Sequence, residues 1–351
     1  MAKPKVIVDR VRSVTRAEQL VGGSPQPKGR TLAVVLLTKS TVMLDVQPPK
    51  GAAWERILKE FQRLDKPVYL AVDPSTNLIV DVNRPRSVFI LKVAANLEEK
   101  KGYRVDLEIS PAVHYVESGN EDRQSLLKSL RSALDTRTRM LVTIGLRRGE
   151  IIDVRPDPRP PAKELAKKRE PRSRPLARIA PVSPAEALRL FDFLKSQVHI
   201  PFAFPEGGCW VRAHEMVRLM DPTVVPVKKL WLYAPYPSIL EPPTKHHPDC
   251  KVPWAWHVAP TVEVNDGTSV TTHVIDPSLF DRPVPQLDWF LTQNNLTAVQ
   301  EDSNPMDFMR GMGGLFTEAD DDYSKTTALL DEIRLELAIR EAAYPPPYPC
   351  P

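Results

Sequence analysis

Gly207-Gly208-Cys209-Trp210-Val211-Arg212-Ala213-His214-Glu215-Met216 is the stretch on which the reading of this chain turns. Two glycines allow a sharp backbone turn and the close approach of another molecule. After them Cys209, Ala213, Met216, Val217 and Met220 recur at helical spacing, which places the thiol at the N-terminal end of a buried helix face. The unpaired N–H groups and dipole of a first helical turn favour a thiolate and can donate to a developing oxyanion. His214, five residues on, is rotated away and is a poor partner for Cys209.

Two downstream blocks supply what a cysteine nucleophile needs. Trp254-Ala255-Trp256-His257-Val258-Ala259 brings a base, and Val274-Ile275-Asp276-Pro277-Ser278-Leu279-Phe280 brings a carboxylate. Between them Asp266-Gly267 is a strong signal for a two-residue hairpin loop. With that loop, His257 and Asp276 fall directly opposite one another, where the carboxylate can hold the imidazole tautomer. Pro260 in the first strand cannot donate to the ladder and signals an edge or a bulge. Taken singly, a free cysteine is most often a small buried hydrophobe, and a histidine beside two tryptophans is most often packing. The three residues together, at a Gly-Gly helix start and across a hairpin, point instead to acyl transfer, with Cys209, His257 and Asp276 as the catalytic residues.

The same blocks resemble a known family, the bacterial protein-glutaminases (protein-glutamine deamidases). The likeness rests on Gly-Cys-aromatic-x-Arg-Ala-His-x-Met at 208–216, Trp-x-aromatic-His-Val-Ala at 254–259 and Ile-Asp-Pro-Ser-Leu-Phe at 275–280, in that order and spacing. It covers about residues 200–290. The resemblance implies a nucleophile at Cys209, a general base and acid at His257, an orienting partner at Asp276, and conversion of glutamine side chains to glutamate with release of ammonia. Trp210 stands where such relatives carry tyrosine, and those relatives are secreted, disulfide-bearing and made with an inhibitory pro-segment. The order Cys, His, Asp also fits transglutaminases and, with Asn for Asp, papain-like peptidases. A catalytically inactive interaction module of the same fold is the non-enzymatic alternative. Gly208, Trp210, Trp254 and Trp256 are the candidate substrate-binding residues, the aromatic ones as walls of a side-chain channel. No cofactor and no metal is expected, because His246-His247-Pro248-Asp249-Cys250 lacks ligand spacing and reads as a solvent-facing loop.

The remaining sequence sets this site in an α+β protein whose C-terminal domain is a papain/transglutaminase-like cysteine hydrolase, preceded by a separate α+β domain. The length of 351 residues suits two domains, and 42% hydrophobic with 26% charged residues is a globular composition. Residues 1–155 are strand-dominated, with strands expected at 5–11, 30–37, 42–46, 68–72, 78–82, 87–94, 103–109 and 140–146 and helices at 52–64 and 123–134. Residues 156–182 form a basic, proline-rich linker holding eight Lys and Arg against three acidic residues. It lacks aromatics for base stacking, so nucleic acid is not the expected partner. Ser183-Pro184-Ala185-Glu186 is a capping box with proline at the first helical position and opens the catalytic domain, 183–343. Residues 344–351 are a proline-rich tail, expected to be extended and mobile.

No apolar run is long enough to span a membrane, and the N-terminus has no apolar signal core. Three cysteines, Cys209, Cys250 and Cys350, make no disulfide framework. These features point to a cytoplasmic setting and leave a non-standard export route open. The partner is a protein or peptide presenting glutamine, not a nucleic acid or a membrane. Residues 1–155 have two candidate roles: masking the Cys209 cleft within the same molecule, as the pro-segment resemblance implies, or selecting a partner protein.

Overall fold

The computed structural model describes residues 3–16, 30–95, 102–108, 110–146, 149–158, 179–345 and 347–350. The basic stretch at 159–178 lies outside the described residues. The chain divides into two units, one made of Met1–Glu108, His114–Pro160 and Leu335–Pro345, the other of Ile109–Val113, Pro161–Arg334 and Pro346–Pro351. The second unit thus takes in residues from the N-terminal half, and the first takes in residues that the sequence had grouped with the catalytic domain.

In the first unit, strands β1 (Lys5–Arg16), β2 (Thr31–Leu36), β3 (Thr41–Asp45), helix α1 (Pro49–Leu64), β4 (Pro67–Val72) and β5 (Ile79–Asn83) build an antiparallel sheet in the order β3-β2-β1-β4-β5. Helix α1 starts on a proline and buries Trp54, Ile57, Leu58 and Phe61, the stripe that its sequence spacing sets on one face. Leu335 and Ile339 join that core, and Glu336 pairs with Arg84 and Arg86. A second core gathers around β6 (Pro85–Val88), β7 (Ile90–Ala95), β8 (Gly102–Leu107), β9 (His114–Glu117), α2 (Arg123–Thr136), β10 (Met140–Ile144) and β11 (Ile151–Pro156). The expected strand at 87–94 is two strands, because the chain breaks at Phe89 and the halves join different sheets. β9 and β11 are short or weakly alternating and stand where no strand was expected.

The second unit opens on α3 (Pro184–Lys195), where Ser183 Oγ accepts from the Glu186 amide at 3.2 Å. This N-cap fixes the helix start, and Ala187, Leu190, Phe191 and Leu194 then face inward. Helix α4 (Cys209–Met220) follows and is buried along nearly its whole length, Arg218 alone being exposed. Strands β12 (Val227–Tyr233), β13 (Trp256–Asn265), β14 (Val270–Val274), β15 (Val284–Pro285) and β16 (Val299–Ser303) form an antiparallel sheet in the order β15-β14-β13-β12-β16, with α5 (Gln286–Thr292) after β15. β17 (Asp307–Arg310) and β18 (Thr317–Ala319) make a small hairpin before α6 (Ser324–Ala343). Val262 and Val264 of β13 share a core with α3 and α4, whereas Ala259 shares another with Leu230, Leu232, Trp254 and Trp289. The period-2 alternation of β13 thus feeds both cores, and a central strand buried on both sides is what positions His257.

Two connections bear on the site. Residues 240–254 form an arm closed by bridges Leu240↔Trp254 and Pro243↔Lys251. Residues 110–113 lie against its end: Ala112 bridges to Trp254, the Val113 amide donates to Pro253 O at 3.0 Å, and the Ala255 amide donates to Pro111 O at 2.7 Å. No helix among the described residues is long and apolar enough to cross a membrane.

Candidate active site

Cys209 is the first residue of α4, and Gly208 is its N-cap, at φ 75° and ψ 10°. That left-handed conformation suits glycine, and a Cβ at Gly208 would lie 2.3 Å from Ile333 Cδ1, so both backbone and space require the missing side chain. The thiol is buried and receives hydrogen bonds from the backbone amides of Val258 and Trp210. Burial pushes it up to about 12, opposed most strongly by the Arg212 guanidinium. Burial thus favours the protonated thiol.

His257 lies on β13 opposite Leu232 of β12, and its Nε2 meets Asp276 Oδ2 at 2.8 Å, both side chains buried. The pairing between β13 and β14 differs from the sequence expectation. Asn265 pairs with Val270, so four residues, Asp266 to Ser269, make the loop in place of a two-residue turn. Asp266 Oδ1 accepts from the amides of Thr268 and Ser269, both at 2.8 Å, which stabilises the wider loop. The shifted register leaves Asp276 beyond the end of β14, in the turn that follows, and it reaches His257 from there. Pro260 marks neither an edge nor a bulge. It sits in the central strand at an unbroken register with β12, just past the last β13–β14 pair.

The carboxylate of Asp276 is fully used. Trp289 Nε1 donates to Oδ2 at 3.0 Å, the Ser278 amide donates to Oδ1 at 3.2 Å, and Ser278 Oγ donates to the same oxygen. Burial works against the ionised form, but the charge and hydrogen bond of His257 and the bonds from Ser278 and Trp289 outweigh it and hold Asp276 at about 2. The imidazole lies nearly parallel to two indoles, Trp254 at 4.2 Å and Trp289 at 5.5 Å between ring centroids. Its orientation is set by the carboxylate and by this stacking. Nδ1 of His257 has no hydrogen-bond partner among the described residues.

Residues 187–293 match the glutaminase family model. This chain carries a protein-glutaminase-family domain. The glutaminase domain so delimited contains Cys209, His257 and Asp276. The fold is similar to that of a mutant of pro-protein-glutaminase, at 21% identity and a TM-score of 0.52, covering 70% of this chain and 90% of the other. A pro-protein-glutaminase crystal structure is similar at 20% identity and a TM-score of 0.49, covering 76% and 95%. The NMR structure of protein-glutaminase from Chryseobacterium proteolyticum is similar at 24% identity and a TM-score of 0.39, covering 44% and 88%. No curated protein matches the chain significantly.

Other residues of the glutaminase domain fall into place around this centre. Trp210 is buried, 5.7 Å from Trp256, and Trp256 is 5.8 Å from Trp231 between ring centroids. Trp254 is not an open channel wall: it is buried, stacked on His257, and donates from Nε1 to Pro205 O at 2.9 Å. His214 is turned away from Cys209, its Nδ1 2.7 Å from the buried Lys229 Nζ and its Nε2 3.2 Å from Asp320 O. Burial and the Lys229 charge lower it to about 3, so it remains neutral.

The cysteines depart from the sequence expectation of no disulfide. Cys250 and Cys350 form a disulfide across a sequence separation of 100, and Cys209 is the free cysteine. The tail is consequently tied down, with the Tyr348 amide donating to Lys245 O at 3.0 Å. The 246–250 loop is not simply solvent-facing either, since His247 is buried. Trp289 and Ser278 are site residues that sequence reasoning missed. The Asp-x-Ser spacing at 276–278 is a signal for a local side-chain cap and was available, whereas nothing local marks Trp289.

Proposed function

We propose that this protein hydrolyses the side-chain amide of glutamine in proteins or peptides, giving glutamate and ammonia. The observation that carries the reading is a glutaminase-family domain whose cysteine starts a helix while its histidine is held by a buried carboxylate at 2.8 Å. The papain/transglutaminase-like arrangement of Cys209, His257 and Asp276 supports the following sequence of steps.

The Cys209 sulfur attacks the carboxamide carbon while His257 Nδ1 takes the thiol proton. The imidazolium so formed is held by Asp276 and lies against the faces of Trp254 and Trp289, which favour a cation. First-turn amides of α4 are the donors available to the oxyanion. His257 then returns the proton to the departing nitrogen, ammonia leaves, and a thioester remains. Water, deprotonated by His257, attacks the thioester, and collapse releases glutamate and the Cys209 thiol. Trp210 and Trp256 flank the nucleophile as candidate contacts for the substrate side chain.

A glutamine peptide incubated with the full chain should release ammonia with its backbone intact. Shortened peptides would assign a peptidase, cross-linked products a transglutaminase, and the absence of all three a binding module. Cys209→Ser should abolish turnover and leave the fold, since a hydroxyl there stays protonated.

The likeness to pro-protein-glutaminase, together with residues 110–113 bonded to Pro253 and Ala255 beside the His257 block, favours masking over partner selection for the N-terminal part. The masking element on this reading is the 110–113 segment. Trypsin has candidate cutting sites among the Lys and Arg residues of 159–178. Activity that rises after limited trypsin treatment supports masking; clean cleavage with no rise refutes it.

A further inference from the structure

Arg212 lies one helical turn after Cys209 on α4 and is only 2% exposed. Its Nη1 donates to Phe204 O at 3.1 Å and to Gly207 O at 2.8 Å. These two carbonyls belong to the turn that ends at Gly208 and delivers the thiol. No carboxylate among the described residues lies within ion-pair distance of the guanidinium. The ionisable groups facing it are Cys209, Asp276 and His246. Those facing the thiol are Arg212, Asp276 and Tyr233. His257 and Asp276 neutralise each other once the imidazole is charged, and burial keeps the Tyr233 phenol protonated.

This is an unusual place for arginine. The group cannot shed its charge. A cation with no carboxylate partner is costly to bury, and an apolar side chain of similar volume commonly serves a fold as well or better. Two carbonyl dipoles offset part of that cost. The countercharges facing it are the carboxylate of Asp276 and the charge that appears at Cys209 when it reacts, three residues away on the same helix.

We propose that Arg212 is the positioning residue of the nucleophile: it holds the Phe204–Gly207 turn that aims Cys209, and its charge is the standing counter-ion of the Cys209 thiolate. The inference rests on the nucleophilic role given to Cys209 above. On this reading the site has two sources of positive charge. His257 supplies a transient one as it takes the proton, and Arg212 supplies a permanent one that also remains during thioester hydrolysis, when the leaving thiolate re-forms.

Cys209 is the free cysteine, so thiolate absorbance in the ultraviolet, with Cys209→Ser as the blank, reports its ionisation in the full chain. Arg212→Gln should move the inflection up by at least about one pH unit, a tenfold loss of thiolate at a given pH below it. Arg212→Lys keeps the charge and should keep the inflection within about half a unit, the rescue that a purely structural role would not produce. A folded Arg212→Gln chain with an unchanged inflection overturns the proposal. If Arg212→Gln does not fold, an upward move of a full unit in Arg212→Lys overturns it, and failure of both to fold assigns Arg212 to the fold and overturns it as well. The readout needs no glutamine substrate. A chain that shows the Arg212-dependent inflection yet releases no ammonia keeps this inference and refutes the deamidase reading.

Discussion

Replacing Asp276 by asparagine tests the site at its most connected atom. Oδ2 accepts from His257 Nε2 at 2.8 Å and Trp289 Nε1 at 3.0 Å, and Oδ1 accepts from the Ser278 amide at 3.2 Å and from its hydroxyl. An amide has one oxygen. Placed at Oδ2, that oxygen serves two donors and leaves the NH2 against the Ser278 amide; placed at Oδ1, it leaves the NH2 against Trp289 and His257. The first arrangement wins, so the imidazole keeps its tautomer and loses the negative charge behind it. A tautomer error in a triad costs about 10^4 in kcat; with the tautomer kept, a loss on the order of 10^2 is expected, read as ammonia release from a glutamine peptide. For stability, the folded carboxyl at about 2 lies below its ordinary value of 3.8, a difference that contributes about 2 kcal/mol. Because the folded value is the lower one, this contribution is present above about pH 4 and is lost as pH falls toward about 2. The opposed Ser278 donor adds a cost of about 1–3 kcal/mol that does not depend on pH. Urea unfolding of both chains at neutral and acid pH should therefore show a gap that narrows by about 2 kcal/mol in acid. Activity within twofold of wild type in a folded variant, or a gap of constant size across that range, would refute the assignment of Asp276 as the buried partner of His257.

Three other substitutions probe separate supports. Trp289→Phe keeps a ring beside His257 and removes one donor to Asp276, so stability should fall by about 1–2 kcal/mol, and the acid loss should begin at higher pH; an unchanged acid profile would argue against that bond. Gly208→Ala should cost about 1–3 kcal/mol through its left-handed φ and the collision with Ile333, together with lost turnover; adding Ile333→Ala should restore part of the stability, since it relieves the collision and not the backbone. Cys350→Ser opens a link across a separation of 100, which should lower stability by about 2–4 kcal/mol. Reductant should do the same to the wild-type chain and nothing to the variant, whereas identical melting of the wild-type chain with and without reductant would remove the cross-link.

Local signals in the sequence were reliable where the structure obeys local rules. The Ser183 capping box, helices α1 and α2 and the placement of Cys209 at the start of α4 all depend on neighbours within a turn. The hairpin register did not, because Asp266 caps Thr268 and Ser269 and so competes with the tighter Asp-Gly turn. His257 and Asp276 meet by a route different from the one that suggested them: not as cross-strand neighbours, but across the end of a strand. Arg212, Trp289 and the Cys250–Cys350 link were illegible for a common reason. Each acts through a geometry that only the folded chain sets, and an arginine on a helix or a tryptophan in a short helix carries no local mark of it. The exchange of residues 110–113 and 335–345 between the halves is equally invisible to composition, which changes only at the linker.

The interleaving has a consequence for synthesis. The core of the first unit includes Leu335 and Ile339, and the second unit is cross-linked through Cys350, so that core and that cross-link wait until translation has supplied these residues. Domains that emerge from the ribosome one after another ordinarily fold in that order. Here the sheet and helix at the start of the first unit wait for Leu335 and Ile339 of α6 before their core is closed.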